Sequence, residues 1–63
     1  MDKTWKSVEI INNSGARDFE DFLKRNGYEY TSEIRFNYVH FEVYCDKDEN
    51  LNMLDFLHDL ATK

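Results

Sequence analysis

The sequence predicts a small α+β fold with the element order β-α-β-β-α, a three-stranded sheet with two helices packed on one face. Three observations predict it. Three segments alternate β-branched or aromatic residues with polar ones, the period of a half-buried strand. Two segments repeat apolar residues at helical spacing. Runs of Asn, Ser, Gly and Asp separate them, as turns and caps require. With no proline and two glycines in 63 residues, patterned segments cover most of the chain. That length allows one domain, residues 1–63.

Trp5 to Ile11 reads as the first strand, with Val8 and Ile10 on one face and Trp5, Ser7, Glu9 and Ile11 on the other. Asn12-Asn13-Ser14-Gly15 ends it, and Asn13 or Ser14 is placed to cap the next helix. Ala16, Phe19, Phe22 and Leu23 form the apolar stripe of a helix over about 14–26. Its acids lie mostly early and its bases late, matching the helix dipole. Asn26-Gly27 supplies a left-handed stop.

Tyr28 to Ile34 reads as the second strand, with Tyr28, Tyr30 and Ile34 on one face. Arg35-Phe36-Asn37 makes the turn without the glycine of a favoured hairpin. Tyr38 to Cys45 follows as the third strand, with Val39, Phe41, Val43 and Cys45 on its apolar face. After Asp46-Lys47-Asp48-Glu49-Asn50, Leu51, Leu54, Leu57 and Leu60 mark the last helix. Met53, Phe56 and Ala61 widen its stripe. Asp46 or Asp48 caps it, and Lys63 closes it with the favourable sign.

A chain this short buries only about 60% of its unfolded surface. Charged residues make up 33%, which on its own suggests disorder. Five Phe, four Tyr and one Trp argue the other way, since each ring buries about 150–250 Å². Cys45 is the single cysteine, so no internal disulfide forms and a reducing cytoplasm is the expected compartment. No apolar run approaches the roughly 18 residues of a membrane span, and the first residues lack the apolar segment of a signal peptide. No membrane association is expected.

The element order gives a mixed sheet, with strand order two-three-one or three-one-two. With strand three in the middle, the topology resembles a ferredoxin-like fold lacking its last strand. Strand one is then an open edge. Such edges are covered, charged or paired, so a homodimer through strand one or pairing with a partner's strand is expected.

The face away from the helices is expected to carry Trp5, Glu9, Ile11, Glu29, Thr31, Glu33, Tyr38, His40, Glu42 and Tyr44. Wet aromatics among acids form a common binding surface; the plain alternative is a solvated sheet stabilised by cross-strand pairs. Residues 1–27 hold five acids and five bases, and residues 28–63 hold eight acids and three bases, so the net charge of −5 belongs to the second half. That field repels phosphate and attracts basic surfaces, which argues against direct nucleic-acid binding.

Candidate chemistry is sparse. His40 beside Glu42 could serve as a general base, without a nucleophile of matching spacing. Asp55 and His58 give two potential metal ligands where a site needs more. Asp46, Asp48 and Asn50 resemble the start of a calcium loop, but its glycine would fall on Leu51 and its last acid on Leu57. Cys45 is expected in the core. No metal, cofactor or catalytic set is expected.

Ala16 to Tyr44, a helix, Asn-Gly-Tyr and two strands with a histidine, loosely resembles small HicA-type RNA-cleaving toxins. The resemblance implies a double-stranded-RNA-binding-like fold and a catalytic His40. Those toxins are basic and carry a glycine before the histidine, whereas this chain is acidic and has Tyr38-Val39 there.

The leading expectation is a non-enzymatic interaction protein, of the kind that phages and mobile elements use as inhibitors. It mimics the charge of DNA and occupies a basic surface of a nucleic-acid-processing protein. Glu29, Glu33, Glu42, Asp46, Asp48, Glu49, Asp55 and Asp59 would face the partner, with Trp5, Tyr38, His40 and Tyr44 among them.

Overall fold

The computed structural model describes residues 2–62. It contains β1 (Thr4–Ile10), α1 (Asn13–Arg25), β2 (Glu29–Ile34), β3 (Val39–Cys45) and α2 (Lys47–Ala61). The strand order is β1-β3-β2, and β3 runs antiparallel to both neighbours. The expected mixed sheet does not form. β1 and β2 share a direction but are held apart by β3, so every pairing is antiparallel. This is the ferredoxin-like order without its last strand. Among the described residues, no strand pairs with the outer edge of β1.

Asn12 caps α1, one residue before the expected Asn13 or Ser14. Its backbone is still extended, and its side chain accepts from the Ser14 and Gly15 N–H groups at 2.8 and 3.4 Å. The first turn holds no acid, so only Lys24 and Arg25 at the far end complement the dipole. The helix stops in a Schellman arrangement. The Tyr28 N–H donates to the Leu23 carbonyl and the Gly27 N–H to the Lys24 carbonyl.

Gly27 sits at φ +72°, and among the described residues no atom lies within 4 Å of where a Cβ would be. A Gly27→Ala substitution therefore acts through backbone conformation alone. The left-handed penalty of about 1 kcal/mol lowers the melting temperature by roughly 4–8 °C, read by thermal melting.

The core lies between the helices and the sheet. Phe19, Leu23, Phe41, Val43, Cys45 and Met53 are fully buried. Phe19 is the hub: its ring meets Phe41 edge-on at 5.0 Å and lies near Phe22 and Phe56. Phe22 stacks on Phe56 at 4.4 Å, joining the two helices. The Tyr30 hydroxyl donates to Glu20, pinning β2 to α1, and the Tyr28 hydroxyl donates to the Glu49 carbonyl, pinning the segment before β2 to α2. Burial is the main cause that raises both phenol pKa values.

Two expected apolar faces are corrected. On α2 the buried side is Met53 with half-buried Phe56, Leu57 and Leu60, while Leu51 and Leu54 are exposed. Both rows have helical spacing. Packing selects the one that puts Phe56 against the rings of α1. On β2, which begins one residue later than expected, Tyr30 packs on the core, as does Tyr28 just before the strand, but Ile34 projects beyond it.

Asp46 caps α2 in a full capping box. Its carboxylate accepts from the Glu49 N–H, and the Glu49 carboxylate accepts from the Asp46 N–H. Lys63, expected at the far end, lies outside the described residues.

Candidate partner-binding surface

Strand register assembles the open face. Because β3 pairs with both neighbours, its outward residues each sit between two cross-strand partners. Three rows result: Trp5–Tyr44–Glu29, Ser7–Glu42–Thr31 and Glu9–His40–Glu33. Four of these nine residues are carboxylates and none is Lys or Arg. The one strand lysine, Lys6, has the other parity and pairs with Val43 on the helix side.

The Trp5 ring leans on Tyr44, with centroids 5.1 Å apart and planes tilted by 43°. Trp5 remains 48% exposed, and with Thr31 and Glu42 it lines a shallow hollow. An aromatic face beside carboxylates suits a lysine or arginine side chain, through cation–π and charge-assisted hydrogen bonds. At the other end of the face, Glu9 Oε2 lies 3.4 Å from His40 Nδ1. Glu33 bonds Arg35 at 2.6 Å.

The structure brings together Trp5, Glu29, Glu33, His40, Glu42 and Tyr44. It does not bring the expected acids of residues 46–59 to them. Tyr38 lies just before β3, where its carbonyl accepts from the Arg35 N–H at 2.8 Å and closes the hairpin. The Asp46 and Glu49 carboxylates are engaged in the capping box, and Glu49 also meets Lys3 at 3.7 Å. Asp48, Asp55 and Asp59 are exposed on α2, on the opposite side of the sheet. The acids expected to form one surface therefore form two. Ile11, expected on the open face, follows the end of β1 and is exposed beside a hollow lined by Ile10, Leu57 and Ala61.

Two features escape sequence reasoning. Alternation puts Glu9 on the open face, but that it lies against His40 comes from the β1–β3 register, which no local pattern reveals. Phe36 is fully exposed at the hairpin tip, next to exposed Ile34. Its signal was present, since a phenylalanine stood where hairpin turns favour Asn or Gly. Ile11, Ile34 and Phe36 all lie beyond or at the Ile10–Val39–Ile34 row, so this end of the sheet is apolar.

Cys45 is buried, and burial is the leading cause that raises its thiol pKa, which keeps it protonated and unreactive at neutral pH. Among the described residues, no three His, Cys, Asp or Glu side chains gather as metal ligands, and no helix is long and apolar enough to cross a membrane. No family model, curated protein or solved structure matches the chain.

Proposed function

We propose that the protein is a non-enzymatic binding protein that docks its open sheet face onto a basic surface of another protein. The carrying observation is the composition of the three rows, four carboxylates and no lysine or arginine among nine residues that include the Trp5–Tyr44 pair. Glu42 sits at the centre with Glu9, Glu29 and Glu33 on its diagonals, roughly 8 Å away by strand geometry. A partner that normally holds a phosphate backbone offers arginines and lysines to such an array. This supports a charge-mimicking inhibitor of a nucleic-acid-processing protein in a cytoplasm, of phage or mobile-element type.

The test is capture of partners from a host lysate by the wild type and by Trp5→Ala, at low and high salt. Trp5 is the single tryptophan, so its fluorescence reports the same event. Capture falls with salt, Trp5→Ala weakens it at least tenfold (about 1.4 kcal/mol), and binding blue-shifts the tryptophan emission. Capture that is indifferent to salt and to Trp5 contradicts the reading.

The contact between Glu9 and His40 favours a second reading. In an RNA-cleaving protein, Glu9 would orient His40 as a general base. His40→Ala separates the two readings. Loss of biological activity with fold and capture intact defeats the binding reading.

A further inference from the structure

The outer edge of β1 and the flank of α2 above it form a side wall distinct from the open face. The two elements run together. Lys3 meets Glu49 at one end, and Ile10 and Leu60 meet around Gly15 at the other. Their midpoints coincide in order: Ser7 is the centre of Thr4–Ile10, and Leu54 is the centre of Lys47–Ala61.

Charge is sorted around α2. Asp48, Asp55 and Asp59 fall on one stripe, at i, i+7 and i+11. The neighbouring flank, roughly 60–140° round the helix from that stripe, carries Lys47, Leu51, Leu54, His58 and Ala61, with no acid. Leu57 and Ala61 line the hollow over Val8 and Ile10, so the acid-free flank is the one beside β1. Leu51 and Leu54 are 55% and 50% exposed there. In a chain of net charge −5, this wall is where a like-charged copy meets least repulsion.

We infer that two copies of this chain associate through this wall, β1 pairing antiparallel with β1 about a two-fold axis at Ser7, and Leu54 meeting Leu54 in the layer above. The sequence of β1 suits self-pairing. Centred on Ser7, Thr4 faces Ile10, Trp5 faces Glu9, and Lys6 faces Val8 of the second copy, so no like charges stand opposite. The two α2 helices then lie antiparallel, with opposed dipoles. The product is a six-stranded sheet whose open faces merge. A seven-residue strand and one helix flank contribute fewer residues than the roughly 20–30 a side of a standard interface, so the dimer dissociates on dilution.

The experiment is sedimentation velocity from low to high micromolar concentration. The wild-type mass rises from 7.6 kDa to twice that value. Leu54→Lys and Ser7→Lys each hold the mass at 7.6 kDa, with circular dichroism unchanged. Ser7→Glu alone behaves likewise, but mixing it with Ser7→Lys restores the doubled mass, because residue 7 faces its own copy. A wild type monomeric throughout overturns the inference. So does a dimer indifferent to both positions, or a Glu/Lys mixture that stays monomeric. The readout needs no partner, so it stands or falls separately from the proposed function.

Discussion

Phe19→Ala removes roughly a third or more of the folding stability of the chain. Phe19 is fully buried and its ring meets Phe22 of its own helix, Phe41 of β3 and Phe56 of α2. Removing a buried Phe ring costs about 3–5 kcal/mol, the lost transfer energy plus the cavity left behind. A 63-residue domain at roughly 0.05–0.15 kcal/mol per residue has only about 3–9 kcal/mol in total. Urea denaturation followed by far-UV circular dichroism measures the difference. Phe36→Ala is the control: its ring is fully exposed, so stability stays within about 0.5 kcal/mol of wild type. A Phe19→Ala cost below about 1 kcal/mol contradicts a core organised on this ring.

Glu42→Lys abolishes partner capture, while Asp55→Lys leaves it within about twofold. Glu42 stands at the centre of the open face, between Ser7 and Thr31 and beside the Trp5 hollow. Reversing its charge sets a lysine against the partner's bases, and like charges held in an interface cost several kcal/mol. Asp55 carries the same formal charge on the far side of the molecule, so the pair separates a local contact from net charge. Both residues are exposed, and stability changes stay small. Equal losses from the two variants mean that the partner reads overall charge, not this face.

The element order was legible because periods of 2 and 3.6 are local. Trp5 to Ile10 alternates, Ala16 to Leu23 repeats at helical spacing, and Gly27 marks a left-handed stop that the structure places at φ +72°. Where two local solutions competed, the sequence could not choose. Asn12, Asn13 and Ser14 are all good caps, and Asn12 wins because its backbone is the last extended one. On α2, Leu51 and Leu54 share helical spacing with the core, and only the neighbouring rings of α1 decide that Met53 and Phe56 turn inward.

The site was legible by parity and illegible by register. Alternation put Trp5, His40, Glu42 and Tyr44 on one face without any knowledge of pairing. That Glu9 lies opposite His40 depends on β1 and β3 meeting across some thirty residues of intervening chain. The division of the acids also needed three dimensions. Asp55 and Glu42 are close in sequence charge statistics, yet the sheet lies between them.

The central claim is that the open sheet face is the docking surface. Backbone-amide chemical-shift mapping with a captured partner tests it most directly. The account predicts that perturbations concentrate on the outward residues of β1, β2 and β3 and on the Trp5 indole. Perturbations confined to α1 and α2, with Trp5 and Glu42 unmoved, would contradict it.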